Sequence, residues 1–357
     1  MSRRTRFSQV AVAVSVIALA AVGCGESSKD AGTSDASSSS ASGKYSGKGI
    51  GLAYDIGGKG DQSFNDAAYA GYEQANKEFK MGGTDIEPQD GESDADKTQR
   101  LEQLAKAGYN PVIGVGYIYA GPIKEVAAKY PNITFGIIDD ETVKAANVAD
   151  MVFSEEQASY LAGVAAAKAS KAKHVGFIGG VDIPLIHKFG AGFEQGVKSV
   201  DPAIKIESQY LTETPQEGGF SSPDKGKEAA SGQIEKGADV IYHAAGLSGQ
   251  GVISEAASKK VWAIGVDSDQ YNQSALAKYK DYILGSALKN VGGAVYELAK
   301  SVHEGKPLNG TVRGTLKTGG VGFADSNPKY KAMTDVVAAV DKAKQDIVDG
   351  KVTVKTS

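Results

Sequence analysis

The second half of this chain repeats the first. Gly71-Tyr72-Glu73-Gln74 returns as Gly192-Phe193-Glu194-Gln195. Lys106-Ala107-Gly108, followed by Val112-Ile113, returns as Glu235-Lys236-Gly237, followed by Val240-Ile241. Residues 133–139 (ITFGIID) return as 261–267 (VWAIGVD). The order is the same in both halves, at an offset of about 121–130 residues. That period is too long for a solenoid, whose units run to roughly 20–50 residues. It calls for two domains of one architecture, which a chain of 357 residues can supply.

Within each half, short apolar runs alternate with stretches of helical period. Residues 49–79 are the clearest unit. The run 49–54 is apolar, bounded by glycine and without helical period, so it predicts a buried strand. Residues 55–62 are loop, carrying Gly57, Gly58 and Gly60. Ser63 with Asp66 three residues on reads as a capping box. Phe64, Ala68, Gly71, Tyr72, Ala75 and Phe79 then share one helical face. Later strands are expected at 111–117, 133–138, 148–153, 174–178, 204–210, 240–243, 261–266, 282–287 and 311–316. Helices are expected at 94–107, 121–130, 155–170, 189–200, 225–236, 251–259, 291–304 and 328–349. Repeated βα units of this kind give an α/β fold of two doubly wound, Rossmann-like domains joined by a hinge. The first lobe is expected to hold 47–150 plus about 268–305, and the second 151–267 plus about 306–357.

Residues 1–23 read as an export signal. Arg3, Arg4 and Arg6 precede an apolar run at 10–22, too short to span a bilayer. Leu19-Ala20-Ala21-Val22-Gly23-Cys24 resembles a bacterial lipobox, so Cys24, the chain's only cysteine, is the expected lipidation site. Residues 24–46 are Ser-, Ala-, Gly- and Asp-rich with almost no apolar bulk, the composition of a flexible tether. The formal net charge is −4, and cleavage of the three arginines makes the remainder more negative. With no basic stripe, nucleic acid is not an expected partner. One cysteine and four scattered histidines supply neither a disulfide framework nor a metal-ligand spacing.

Open α/β sheets bind ligands in the crevice beyond the carboxyl ends of their strands. Residues that fall there are the site candidates. Asp55 ends the first strand. Phe64 and Asn65 open the first helix, and two readings stand for Phe64: a ring lying on a planar ligand, or a core residue of the apolar stripe. Asp139 and Asp267 occupy the same place in the two repeats, each ending an apolar strand. If the lobes face each other, both carboxylates border one cleft, the geometry of hinge-closing periplasmic binding proteins. Helix capping accounts for either aspartate alone, and less well for the symmetric pair. Lys289 follows a short strand and reads either as a ligand-binding cation or as a solvated lysine. The loop 246–251, opening with Gly246 and Leu247, offers backbone N–H groups but is neither a P-loop nor a dinucleotide fingerprint.

Together with the lipobox, four further stretches carry a family resemblance: Gly60-Asp61-Gln62-Ser63-Phe64-Asn65, residues 154–163 (SEEQASYLAG), the run Gly179-Gly180 with Phe189, Gly192-Phe193 and Gly196, and Gly265-Val266-Asp267-Ser268-Asp269-Gln270. The chain resembles the basic membrane protein family, the PnrA-like substrate-binding lipoproteins of ABC transporters. The resemblance covers about residues 49–289. It implies a type I periplasmic-binding-protein fold, a purine-nucleoside ligand and no enzymatic activity. It also implies that Phe64 stacks on the base, that Asn65 and Asp139 read its edge, and that Asp267 and Lys289 hold the ribose hydroxyls near the Gly246 backbone. Members often place a second aromatic in the loop that here offers Leu247; Tyr117 or Phe189 would have to stand in. The expected partners are the nucleoside, an ABC permease and the outer face of the cell membrane, through a lipid anchor. No cofactor or metal is expected, and the chain is expected to act as a monomer. The rival readings are a sugar or other polar ligand on the same fold, a ligand sensor without a transporter, and a nucleoside hydrolase.

Overall fold

The computed structural model describes residues 46–89 and 91–357. The expected leader, Cys24 and almost all of the tether lie outside the described residues. Two six-stranded sheets organise the described chain. The first half contributes β1 (Ile50–Ala53), β2 (Gly83–Ile86), β3 (Val112–Gly114), β4 (Phe135–Ile138) and β5 (Val148–Phe153). The second contributes β6 (His174–Val181), β7 (Lys205–Thr212), β8 (Val240–Ala244), β9 (Trp262–Asp267) and β10 (Ile283–Lys289). Two late strands, β11 (Gly310–Gly314) and β12 (Val321–Ala324), complete them. The orders are β11-β5-β4-β3-β1-β2 and β12-β10-β9-β8-β6-β7, so β1 to β5 take the same places as β6 to β10. The repeat in the sequence is therefore a repeat of topology. β11 runs parallel to β5, whereas β12 runs antiparallel to β10.

Central strands such as β1, β4 and β8 are buried at every position. Burial on both faces is why they are apolar throughout rather than alternating. The helices are α1 (Phe64–Phe79), α2 (Asp94–Ala107), α3 (Ala120–Lys129), α4 (Glu155–Ala169), α5 (Pro184–Val200), α6 (Pro223–Glu235), α7 (Gly249–Ser258), α8 (Val291–His303), α9 (Pro328–Lys331) and α10 (Thr334–Val348). The bounds of α2 match expectation because its ends are written locally. Ser93 and Asp96 form a capping box, and Gly108 closes the helix in the left-handed region at φ +88°. The expected helix 328–349 is instead two, broken at Met333. β2 and β12 were not expected, being four residues each and partly exposed.

The lobe boundaries need correction. β10 pairs with β9, so residues 283–289 belong to the second lobe, and Lys289 with them. β11 pairs with β5, so residues 310–314 return to the first lobe. The chain thus crosses between lobes three times: after β5, after β10 and after β11. The first two crossings exchange helices. α4 follows β5 but packs on α5 in the second lobe, and α8 follows β10 but packs on α1 in the first. The repeated glycines sit at these contacts. A Cβ on Gly71 would lie 2.1 Å from the Gly292 carbonyl oxygen, and one on Gly192 would lie 2.2 Å from that of Glu156. Only glycine permits backbones to approach so closely.

Candidate functional site

β4 and β9 end at one cleft. Asp139 directly follows β4, and Asp267 is the last residue of β9. Both take left-handed backbone, at φ +66° and +62°. Non-glycine residues seldom adopt that conformation, though aspartate tolerates it better than most, and it clusters at ligand sites. Neither aspartate caps the helix after it, so the capping reading fails for both. Between them lies Lys289, at the end of β10. Its Nζ donates to Asp139 Oδ2 at 2.6 Å and lies 3.6 Å from Asp267 Oδ1. Lys289 is 4% exposed, which rules out the solvated-lysine reading.

The first lobe lines the cavity with Asp55, Phe64, Asn65, Tyr117 and Asp139. The second lines it with Phe189, Phe220, Gly246, Asp267 and Lys289. Of the expected residues only Leu247 stands apart: it lines the outer mouth instead. Two further contributors, Asp61 and Phe220, were not among the expected site residues. Phe220 lies in an irregular Gly-Gly-Phe stretch with no period to mark it. Its ring packs where a side chain on Gly180 would otherwise stand. Two aromatic rings, Phe64 from one lobe and Phe220 from the other, therefore border the cavity, with Phe189 beside them.

Asp61 replaces the expected capping box. Ser63 makes no side-chain cap. Instead the Asp61 carboxylate accepts from the backbone N–H groups of Ser63 (2.9 Å), Asn65 (2.8 Å) and Asp66 (3.1 Å), doing the work of an N-cap. It also accepts from Asn65 Nδ2 at 3.2 Å, while Asn65 Oδ1 accepts from the Asp55 N–H at 3.0 Å. The Asn65 amide is thereby held in one orientation, with an N–H still available to a ligand.

The charge balance of the site is acidic. Asp55, Asp61, Asp139 and Asp267 line the cavity around the single cation of Lys289, and Glu155 adds its charge to the same lysine. Burial alone would lower the Lys289 ammonium, but Asp139, Asp267 and Glu155 outweigh it and hold the group above its ordinary range. Burial pushes the Asp55 carboxyl up to about 7, with Asp139 adding to the rise. Burial also raises Glu155 to about 7 and raises Asp267 against the pull of Lys289. The ammonium lies 4.4 Å from the Phe64 ring centroid, within cation–π range. Among the residues lining the cavity, three buried polar atoms lack a hydrogen-bond partner: Tyr117 Oη, Asp139 Oδ1 and Asp267 Oδ1. Leaving such a group unmade costs about 1–3 kcal/mol, which a ligand bearing donors would recover.

The enclosed space is narrow, about 60 Å³. Beyond Tyr117 it opens into a concavity of about 780 Å³, rimmed by Ile56, Glu87, Pro215 and Leu247. Pockets for small molecules usually measure roughly 300–1,000 Å³, so the space enclosed between the lobes is smaller than such pockets and the adjoining concavity falls within that range. Among the described residues, no group of acidic, histidine or cysteine side chains is placed to hold a metal ion. No helix among them is long and apolar enough to cross a membrane.

Comparison with known proteins agrees with this geometry. The family model described as "ABC transporter substrate-binding protein PnrA-like" matches residues 51–356. The "ABC transporter nucleoside-binding protein BmpA" of Lactococcus lactis subsp. cremoris is 37% identical over 85% of this chain and 88% of its own. The "CD4+ T-cell-stimulating antigen" of Listeria monocytogenes is 36% identical over 85% of this chain and 87% of its own. Among solved structures, a solute-binding protein of an ABC transporter system from Aeropyrum pernix superposes with a TM-score of 0.74. It is 28% identical, covering 87% of this chain and 93% of that one.

Proposed function

Since the chain belongs to the PnrA-like family of ABC transporter substrate-binding proteins, and so is a carrier rather than an enzyme, we propose that it captures a purine nucleoside between its lobes. It then delivers the nucleoside to an ABC permease. One observation carries this reading. Two carboxylates at equivalent strand ends, one per lobe, each present an unsatisfied oxygen to a cavity bordered by aromatic rings and bridged by one lysine. Such a site suits a planar, uncharged ligand rich in hydrogen-bond donors. Its excess of carboxylates disfavours a phosphorylated one, since like charges in a buried site repel strongly.

In this reading Phe64 and Phe220 hold the faces of the base, and Asn65 and Asp139 read its edge, with Asp55 and Tyr117 beside them. Asp267 and Lys289 take the ribose hydroxyls near the Gly246 backbone. The contacts come from both lobes, so ligand favours the closed state by differential affinity. Cys24, lipidated after removal of the leader, would hold the receptor at the outer face of the cell membrane. The nucleoside-binding name of the Lactococcus relative supports the ligand class.

The test is a thermal-shift screen of nucleosides, free bases, nucleoside monophosphates and monosaccharides, followed by calorimetry. A nucleoside at 100 times its Kd is expected to stabilise by about 2.7 kcal/mol. Phe64→Ala or Asp267→Ala is expected to weaken it at least about tenfold, or about 1.4 kcal/mol. Stabilisation by a monosaccharide alone would overturn the reading.

A further inference from the structure

Hydrogen bonds between the lobes converge on residues 60–63, the segment just before the ligand-facing Phe64 and Asn65. Gln250 Nε2 of α7 donates to the Gly60 carbonyl at 2.7 Å. Gln270 Nε2 donates to the Gln62 carbonyl at 3.0 Å. Ser268 Oγ donates to the Ser63 carbonyl at 2.8 Å. In the opposite direction, Ser63 Oγ donates to Asp267 Oδ2 at 2.8 Å.

Both sides of this contact are braced from behind. On the first lobe, the Asp61 carboxylate fixes the turn through the N–H groups of Ser63, Asn65 and Asp66. On the second, Gln270 Oε1 accepts from the Val266 N–H at 3.0 Å and from His243 Nε2 at 3.0 Å. That oxygen can only accept, so the fully buried imidazole carries its proton on Nε2 and fixes the amide with its NH₂ toward the other lobe. Ser63 is itself fully buried, and its hydroxyl occupies the one Asp267 oxygen that does not face Lys289.

We propose that residues 60–63 are the latch of the closed state, and that Ser63 is a positioning residue that orients Asp267 for the ligand only when the lobes meet. The Ser63 hydroxyl and Asp267 belong to different lobes, so the bond exists in the closed arrangement and is lost on opening. Capture and closure are thus joined at one carboxylate: Oδ2 reports that the lobes have met, and Oδ1 is left for the ligand. Because the latch forms after encounter, it governs the dissociation rate rather than the association rate.

The proposal rests on the nucleoside reading for its kinetic test. Association and dissociation of inosine would be followed by stopped-flow fluorescence on the wild-type chain and three variants, Ser63→Ala, Ser268→Ala and Gln250→Ala. Ser268 and Gln250 do not line the ligand cavity. Ser63→Ala is expected to raise koff at least about tenfold, since it removes a bond to a charged acceptor. Ser268→Ala and Gln250→Ala are each expected to raise it about threefold, with kon unchanged. Small-angle scattering of the nucleoside-free protein gives a readout that needs no nucleoside, and each variant is expected to shift toward a larger radius of gyration. If wild type binds inosine and all three variants keep its koff, the latch is overturned. If wild type binds no nucleoside, the ligand reading fails instead, and an unchanged scattering profile in all three variants overturns the latch independently. Should Ser63→Ala fail to fold, the other two variants decide the outcome.

Discussion

Lys289 and Asp139 lie 150 positions apart in the chain, and their side chains meet at 2.6 Å with both almost wholly buried. The lysine ends the last core strand of the second lobe, immediately before the chain crosses over. The aspartate ends a strand of the first. The pair therefore spans the lobes beside the crossing that follows β10, with Asp267 as its third member.

Replacing the lysine tests that relationship. Lys289→Met leaves Asp139 and Asp267 without their shared cation, and leaves Glu155 with Lys188 at 3.7 Å. Removing one partner of a buried ion pair typically costs about 3–5 kcal/mol. Urea unfolding is expected to show a loss of that order at pH 8 and a smaller loss at pH 5, below the value of about 7 to which burial raises Glu155. Nucleoside affinity is expected to fall at least about tenfold.

The contributions of Phe220 and of Leu247, where an aromatic was expected from the resemblance, can be separated. Phe220 lines the cavity and Leu247 only its mouth. Phe220→Ala is expected to lose about 1–3 kcal/mol of nucleoside affinity, the usual worth of base stacking. Leu247→Ala is expected to stay within about threefold of wild type. Calorimetry on both variants ranks them.

Asp55 makes stability depend on pH in a definite direction. Burial, with the nearby charges of Asp139 and Asp61 and against Lys97, carries its pKa from 3.8 to about 7 in the fold. A raised carboxyl holds its proton more tightly folded than unfolded. Its stabilising contribution is complete below about pH 4 and is lost as pH rises through about 7. Asp55→Asn carries no such proton. Melting temperatures of both proteins between pH 4 and 8 should show wild type losing ground to the variant as pH increases.

Gly71→Ala and Gly192→Ala should behave as a pair. Each would put a methyl group about 2 Å from a carbonyl oxygen of the partner helix, forcing α1 from α8 or α5 from α4. Overpacking of this kind typically costs about 1–3 kcal/mol. The urea midpoint is expected to fall in both variants with the slope unchanged.

Much of this arrangement was legible in the residues. The β4 and β9 strands announce themselves because burial on both faces leaves no polar position until the terminal aspartate. The symmetric aspartates followed from the repeat, as did their shared cleft. Which sheet a strand joins was not legible, because pairing is decided by distant partners; β10 and β11 each went to the lobe opposite the one expected. Lys289 has the local context of a surface lysine, and only tertiary burial between two carboxylates distinguishes it. Phe220 carries no periodic signal. Ser63 and Asp66 have the spacing of a capping box, yet Asp61 takes that task because it reaches three N–H groups at once, which frees the serine hydroxyl to reach Asp267.

The exchanged helices bear on how such a chain could arise. Each repeat builds its own sheet but sends the helix that follows its fifth strand onto the other repeat's sheet: α4 leaves the first, and α8 leaves the second. One repeat in isolation would be incomplete, with an uncovered helix face and a helix lacking its seat. Two identical copies would complete each other by swapping that helix about a two-fold axis. Tandem duplication of such a swapped dimer would yield a single polypeptide with the two crossings after β5 and β10 already in place, and with two near-equivalent strand ends free to diverge as Asp139 and Asp267 around one cleft.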